Sequence, residues 1–146
     1  MLHRLQKGRP ALPRTAIIDA QSVRTSETAS QQVGFDGYKR VKGRQRLLLV
    51  DTLGNVLWTK VVAANRHEGA TAGAHWAGAM LSQPLLEDLQ SVYADASFGG
   101  LFAQAACQVG QAVEIPKEPI AEGNQFIVKE KQWIVAAMEW NVTSLG

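Results

Sequence analysis

The sequence predicts an α/β fold in which a mixed β-sheet carries helices on its faces. Of its 146 residues, 46% are hydrophobic and 19% are charged, a balance typical of one globular domain with a real core. Short apolar runs with β-branched residues predict strands, and Ala-rich segments with helical spacing lie between the later runs. A hairpin combined with strand–helix–strand crossovers makes a sheet with both antiparallel and parallel neighbours.

The front of the chain predicts one strand between two polar segments. Residues 1–14 are basic, contain two prolines and show no periodicity, so we interpret them as a linker or the stump of a lost N-terminal region. Residues 15–19 form a short apolar run that ends on Asp19, which predicts a strand buried on both faces. The polar segment 22–42, with a turn signal at residues 34–37, predicts a long exposed loop of the kind that is often functional.

A hairpin and a helix follow the predicted loop. Residues 45–51 and 56–63 have strand-like composition, and Gly54 with Asn55 supplies the turn between them. Residues 68–81 are rich in Ala, with larger side chains at helical spacing and a proline just beyond, so we predict a helix there.

The remainder of the chain continues the alternation of strands and helices. The predicted segments are a strand at residues 91–95, a helix at 101–109, a strand at 112–115, an extended piece at 126–128 and the start of a helix at 133–140. The predicted order is therefore strand, loop, hairpin, helix, strand, helix and strand, followed by an incomplete C-terminal helix.

The sequence carries no signal for a membrane or for an oxidising compartment. No apolar run approaches the roughly 18 to 20 residues that a spanning helix needs, and the first residues lack the apolar stretch of a signal peptide. We therefore expect a cytoplasmic protein. The single cysteine, Cys107, excludes an internal disulfide and a cysteine-based metal site, and we interpret it as a small apolar residue on a helix.

Charge is strongly polarised along the chain. The net charge is +2, but residues 1–46 hold ten Lys and Arg against three acids, whereas residues 47–146 hold five against ten. Five cations fall within eight residues, and a cluster of this kind attracts phosphate backbones through counterion release. The alternative is a solvated loop with ordinary surface charge. The cluster consists of Lys39, Arg40, Lys42, Arg44 and Arg46.

Two aspartates follow apolar strands and are the candidate catalytic groups. Asp19 and Asp95 would project from the same sheet edge if their strands are parallel neighbours, and ligand sites lie at such edges. Two carboxylates in close proximity repel each other unless a cation such as Mg²⁺ or Mn²⁺ lies between them. Two such ions can activate a water or a 3′-hydroxyl and stabilise the leaving oxygen of a phosphodiester. The alternative is that each Asp simply starts a turn or caps a helix. His67 is interpreted as a capping or surface residue.

Five sequence segments, in order and in register, resemble the DDE transposases of bacterial insertion sequences, in the branch numbered four and five. The resemblance covers about residues 15–135, and its specificity comes from the co-occurrence of all five segments. The segments are AIIDAQSVRT (16–25), GFDGYKRVKGR (34–44), LVDTLG (49–54), AANRHEGA (63–70) and YADASFGG (93–100).

The resemblance implies a ribonuclease H-like fold, two Mg²⁺ ions for which Mn²⁺ can substitute, and cleavage and strand transfer of DNA at element ends. It places the first catalytic acid on Asp19 and the second on Asp95, both as metal ligands, and it makes residues 15–146 a partial DDE catalytic domain. The basic cluster becomes a DNA-binding patch that would hold DNA over the metal-binding edge.

The third catalytic acid of the family has no counterpart at the matching position of this sequence. In the family, a tryptophan and two apolar residues precede the catalytic Glu and an Arg, whereas here Trp133 and its two apolar successors are followed by Ala136 and Ala137. Glu139 lies three positions later, close to one helical turn, and is the candidate substitute. The loss of resemblance beyond Val135 is interpreted as a frameshift or truncation.

We therefore expect a transposase catalytic-domain fragment with weak or no activity, because losing one carboxylate weakens a metal site. Two alternatives remain: a non-catalytic DNA-binding remnant, and a metal-dependent nuclease of the same fold that uses Glu139. A sheet that lacks a covering helix exposes an apolar face, so self-association is also expected.

Overall fold

The computed structural model describes residues 1–25 and 31–116, and in them a six-stranded sheet packs against two of three α-helices. Two short 3₁₀ turns, Pro84–Leu86 and Ala96–Phe98, flank the fifth strand. The helices and strands in chain order are α1 (Leu2–Gln6), β1 (Thr15–Arg24), β2 (Gly34–Asp36), β3 (Val41–Asp51), β4 (Val56–Ala63), α2 (Glu68–Ser82), β5 (Ser91–Tyr93), α3 (Leu101–Gln108) and β6 (Ala112–Glu114).

The sheet combines an antiparallel half with a parallel half. β3 pairs antiparallel with β1 along one edge, and with β2 and β4 along the other. β1 pairs in parallel with β5, and β5 in parallel with β6. The predicted mixed sheet is therefore confirmed, and its order, with a hairpin on one side of β1 and parallel strands on the other, is the ribonuclease H-like arrangement that the resemblance implied.

The predicted loop over residues 22–42 is wrong at both ends. β1 runs on to Arg24 and β3 begins at Val41, because the two strands stay paired in unbroken register as far as Arg24↔Gly43. Within the same segment β2 forms a short hairpin with β3. The polar composition that suggests a loop belongs to a ribbon that extends beyond the core, where both faces tolerate polar side chains. As a consequence, Asp19 lies within β1 and does not end it.

The core lies between one face of the sheet and the helices α2 and α3. Ile18 and Leu49 from the sheet and Trp76 and Phe102 from the helices belong to one buried cluster. Trp76 and Phe102 meet edge to face with ring centroids 4.9 Å apart, and the Trp76 indole N–H donates to Gln111 at 2.9 Å. Ile17 packs into a second cluster on the opposite face, which confirms that the first strand is buried on both sides.

The predicted hairpin and both predicted helices are confirmed to within a few residues. The turn between β3 and β4 contains Gly54 at φ 78°, a left-handed conformation that glycine adopts without strain. His67 is the N-cap of α2 and accepts a hydrogen bond from the Ala70 N–H at 3.3 Å, as its capping interpretation predicts. Cys107 lies on α3 and is exposed.

The basic N-terminal segment contains a short helix that the sequence does not predict. The Arg4 side chain of α1 is buried and donates to Asp51 at 2.6 Å, at the end of β3. Burial alone would raise the pKa of Asp51, but hydrogen bonds from Asn55, Arg4 and Leu53 together hold it below the ordinary value. A lone arginine in a basic segment gives no sequence signal for this pairing.

Several sequence predictions lie outside the described residues: the extended piece at 126–128, the helix start at 133–140, Ala136 and Glu139. Within the part that is described, no helix combines the length and apolar character needed to cross a membrane.

Candidate functional site

Asp19 and Asp95 lie side by side at one edge of the parallel half of the sheet. The last residues paired between β1 and β5 are Ile17 and Tyr93, and each aspartate follows its paired residue by two positions. β5 ends at Tyr93 while β1 continues, so the sheet opens at the level of the two carboxylates. The expectation that the two strands are parallel neighbours is confirmed.

The environment of Asp19 opposes its negative charge. Burial is the main cause that raises the pKa of Asp19 above 3.8, and the carboxylates of Asp95 and Glu68 raise it further. A hydrogen bond from the backbone of Ala20 and the ammonium group of Lys39 act in the opposite direction. Three carboxylates therefore interact electrostatically at this edge, with one lysine among them.

Asp95 is held by the turn that follows it. It caps the 3₁₀ turn Ala96–Phe98, and its Oδ1 accepts from the backbone N–H of Ser97 at 2.8 Å and from the Ser97 hydroxyl at 2.5 Å. The alternative role considered for Asp95, a turn-starting cap, is thus present in the structure. Both of these hydrogen bonds end on Oδ1, so the cap uses one of the two carboxylate oxygens of Asp95.

Glu68, the first residue of α2, accepts hydrogen bonds from three separate elements. Its Oε1 accepts from the Lys39 ammonium at 2.6 Å and from the Gln45 amide at 3.4 Å, and its Oε2 accepts from the Ser97 hydroxyl at 2.9 Å. Lys39 also donates to the carbonyl of Ala20 at 3.2 Å. A polar network therefore connects the residue after Asp19 with the turn after Asp95.

The sequence does not predict Glu68 or Ser97 as site residues. Each lies within a segment that carries the family resemblance, Glu68 in AANRHEGA and Ser97 in YADASFGG. The sequence does not show that these two distant segments lie in close contact. Gly69 is so near Ser97 that a Cβ added at this glycine would collide with the carbonyl oxygen of Ser97. Only glycine lets the start of α2 approach Ser97 closely enough for Glu68 to reach its hydroxyl.

Lys39 is positioned by the turn between β2 and β3. Oδ1 of Asp36 accepts from the backbone N–H groups of Tyr38 and Lys39 at 3.0 and 2.9 Å, and its Oδ2 accepts from Ser22 at 3.0 Å. These hydrogen bonds, led by that from Lys39, lower the pKa of Asp36. Arg40 lies in the same turn, exposed and in a left-handed conformation with φ 52°.

The other cations of the basic cluster share a sheet face with Asp19. Side chains alternate along a strand, and Arg46 pairs with Gln21, two residues from Asp19, so both lie on the Asp19 face. Arg44 and Lys42 follow on the same face of β3. Arg46 donates to Gln21 at 2.6 Å, and the exposed Lys42 is the outermost of the row. Three cations of the cluster therefore form a row on β3, whereas Lys39 and Arg40 lie in the turn before it.

A second surface with cationic character lies between β4 and α2. It is a groove of about 770 Å³, and its lining includes two permanent cations and two histidines but no carboxylate. His67 belongs both to this groove and to the turn that places Glu68, so the groove begins beside the acidic edge. The charged and titratable lining residues are Lys60, Arg66, His67 and His75.

The donor set at the acidic edge fits a hard divalent cation in part. Asp19 and Asp95 offer carboxylate oxygens, which Mg²⁺ and Mn²⁺ prefer. Burial first, and then the neighbouring carboxylates, raise the pKa of Asp19, and a bound cation would stabilise its ionised form. Among residues 1–25 and 31–116, no group of three or more His, Cys, Asp and Glu side chains is arranged to hold a metal ion. The candidate third acid, Glu139, lies outside these ranges.

The fold and the site together define a mixed α/β domain whose ligand edge carries two carboxylates beside a row of cations. The chain belongs to the transposase DDE domain family, since residues 10–125, well over half of its length, match that family. No curated protein matches the chain.

Two solved structures are similar to the chain at low sequence identity. A piggyBac transposase synaptic complex with hairpin DNA gives a TM-score of 0.45 and 13% identity, covering 79% of this chain and 25% of that one. A simian T-cell lymphotropic virus intasome in complex with PP2A regulatory subunit B56 gamma gives 0.46 and 11%, covering 93% and 44%. The chain thus spans less than half the length of either, and the family assignment rests on the family match.

Proposed function

We propose that the chain is the catalytic core of an insertion-sequence DNA transposase, a cytoplasmic protein that binds DNA at the edge formed by Asp19 and Asp95. The observation that carries the proposal is the position of these two acids in a chain of the transposase DDE family: Asp19 lies on β1 and Asp95 just beyond the end of the neighbouring parallel strand β5, each two residues after the last pair of the two strands. Ligands of open α/β sheets bind beyond such strand ends.

The cations supply the attraction for DNA. Arg46, Arg44 and Lys42 lead away from Asp19 along one face of β3, so a phosphate backbone on this row passes the acidic edge. Two of the three N–H donors of Lys39 are directed to Glu68 and to the carbonyl of Ala20. Burial alone would lower the pKa of Lys39, but the hydrogen bond and the negative charge of Glu68, with the nearby carboxylates of Asp36 and Asp19, raise it above 10.5. Lys39 therefore remains charged beside the carboxylates at neutral pH.

Asp19 and Asp95 are the residues that would hold Mg²⁺ or Mn²⁺. When bound, such an ion offsets the charge of the attacking and leaving oxygens of a phosphodiester. Asp95 is oriented for this role by Ser97, and Asp19 by its place within a paired strand. The partly buried position of Asp19 limits the access of water to its carboxylate.

We further propose that cleavage is impaired, because Ala136 stands where the family resemblance places the third acid. The test is Mn²⁺-dependent nicking of supercoiled plasmid by the unaltered chain and by Ala136→Glu, with Ala136→Gln as a matched control of equal size. We expect a rate near background for the unaltered chain and for the Gln variant. The Glu variant should be at least about tenfold faster, since one carboxylate of such a set is worth orders of magnitude.

Two results would contradict this proposal. Robust nicking by the unaltered chain that disappears in Asp19→Ala would refute the impairment. Absence of nicking in every variant, combined with salt-dependent DNA binding, would favour the second candidate function, a non-catalytic DNA-binding remnant. The observation behind that candidate is that the described residues hold two acids at the edge and no three-residue metal cluster.

A further inference from the structure

Glu68 occupies a central position in the polar network behind the two aspartates. Its carboxylate accepts from Lys39, Gln45 and Ser97, which belong to the β2–β3 turn, to β3 and to the turn after β5. Glu68 itself starts α2. One side chain therefore connects three parts of the chain that are far apart in sequence: residues 39–45, the start of α2 and the turn after β5. Its charge is balanced by the Lys39 ammonium in an ion pair of 2.6 Å.

The Ser97 hydroxyl links the orientation of Glu68 to that of Asp95. This hydroxyl lies 2.5 Å from Oδ1 of Asp95 and 2.9 Å from Oε2 of Glu68, and it has a single proton to donate. Both acceptors are carboxylates, so a change that moves one of them changes the hydrogen bond available to the other. On the opposite side, Lys39 connects Glu68 to the carbonyl of Ala20, the residue after Asp19.

We propose that Glu68 is a positioning residue for the metal-binding pair, acting on Asp95 through Ser97 and on the Asp19 strand through Lys39. This inference rests on the proposed function. The geometry assigns Glu68 a supporting role and not that of a ligand, because its carboxylate forms an ion pair with Lys39 and lies within hydrogen-bond distance of Gln45 and Ser97. Within residues 1–25 and 31–116 it belongs to no group of three side chains arranged to hold a metal ion. Groups that orient the ligands of a metal commonly change metal affinity by about 10- to 100-fold.

The test is the Mn²⁺ dissociation constant of the full 146-residue chain, measured by electron paramagnetic resonance of free Mn²⁺ without DNA. Glu68→Gln and Ser97→Ala should each weaken Mn²⁺ binding by about tenfold. Their combination should weaken it by less than the product of the two separate effects, because both changes interrupt the connection through Ser97. Ser97→Thr keeps the hydroxyl and should restore the affinity that Ser97→Ala loses. Glu87→Gln removes an equal charge from an exposed position and serves as the matched control.

The outcomes separate this inference from the proposed function. If Asp19→Asn and Asp95→Asn leave Mn²⁺ binding unchanged, the proposed metal site itself is wrong. If those variants lose binding while Glu68→Gln and Ser97→Ala bind as tightly as the unaltered chain, only the positioning role is overturned. Loss of all detectable Mn²⁺ binding in Glu68→Gln also overturns it, since Glu68 would then be a ligand. Thermal melting of each variant checks that it is folded.

Discussion

At the residue scale, Asp19 is a carboxylate whose surroundings disfavour its charge. It is partly buried in the paired strand β1, and burial together with the carboxylates of Asp95 and Glu68 raises its pKa. The ionised Asp19 is costly for folding, because the hydrogen bond from Ala20 and the charge of Lys39 offset only part of the cost of burying its charge. The divalent cation that we propose at this site would offset the cost.

This cost predicts that Asp19→Asn stabilises the metal-free chain. Because the folded-state pKa of Asp19 is raised above 3.8, its ionisation lowers stability as pH rises through that folded-state pKa, and the penalty is absent below the ordinary pKa. Thermal melting in EDTA should therefore give a higher Tm for the variant at pH 7 and equal values near pH 3.5. A relief of about 1 kcal/mol corresponds to roughly 2–4 °C for a chain of this size.

Saturating Mn²⁺ should reverse the order of the two proteins. Ligand binding to the folded state raises stability by mass action, by about 2.7 kcal/mol at 100 times the dissociation constant. The unaltered chain should gain more than Asp19→Asn, because the variant binds Mn²⁺ more weakly. A variant that melts lower than the unaltered chain at pH 7 in EDTA would argue against the electrostatic account of Asp19.

Individual site residues differ in how far the sequence predicts them. Asp19 and Asp95 can be named from the sequence, because each follows an apolar run and the parallel crossover between them is a common connection. Glu68 and Ser97 cannot, because their contact depends on how closely a helix packs against a turn 29 residues away. Arg4 is a similar case, since its buried pairing with Asp51 joins positions 47 residues apart.

At the element scale, the start of α2 is the part that joins the fold to the site. Gly69 lies against the carbonyl of Ser97, and Gly73, one turn later, lies against the backbone of Leu101 in α3. These close approaches fix the position of the first turn of α2, and with it the position of Glu68, relative to the acidic edge. The face of α2 that carries Gly78 is open instead, with nothing within 4 Å of a Cβ at that position.

Matched alanine substitutions on α2 should therefore have opposite effects. Gly78→Ala should leave metal binding unchanged and stabilise the protein by about 0.5–1 kcal/mol, since glycine is a poor helix former. Gly69→Ala has the same helix-propensity gain but must displace the backbone at Ser97, so it should lower Tm and weaken Mn²⁺ binding. Equal effects of the two substitutions in thermal melting would show that the close approach does not matter.

Sequence patterns predict a helix or strand well where one of its faces is buried, and poorly where both of its faces are polar. The hairpin of β3 and β4 and the helices α2 and α3 carry apolar periodicity, and their positions are confirmed. The polar ends of β1 and β3 lack that signal, and their extended state depends on the register between the two strands. A pairing between segments distant in sequence leaves no local pattern to read.

At the scale of the whole molecule, the polarised charge becomes a surface. The basic front of the sequence places Lys42, Arg44 and Arg46 in a row on the Asp19 face of β3, while the acidic remainder contributes Asp95 and Glu68 to the edge. The near-neutral total of +2 therefore conceals a directional field. Such a field concentrates a polyanion at the side of the sheet where the carboxylates lie.

From this charge distribution we predict that DNA affinity depends on the row formed by Lys42, Arg44 and Arg46 and on the salt concentration. Lys42→Glu should weaken binding of a short duplex and reduce the slope of log K against log salt by about 0.9 or more, because one phosphate contact is lost and one repulsion added. Lys7→Glu changes the net charge equally on an exposed N-terminal residue and is the control. Fluorescence anisotropy over a salt series measures both slopes, and equal losses in the two variants would assign DNA binding to net charge alone.

A divalent-cation site at the edge formed by Asp19 and Asp95 is the basis of the proposed function, and a binding measurement tests it directly. Mn²⁺ binding to the 146-residue chain is measured for the unaltered protein, Asp19→Asn, Asp95→Asn and the exposed control Asp88→Asn. We predict saturable Mn²⁺ binding by the unaltered chain. Either edge substitution should weaken this binding at least about tenfold, since each removes a carboxylate ligand, and the control should leave it unchanged. Absence of binding in the unaltered chain, or equal affinity in all four proteins, would contradict it.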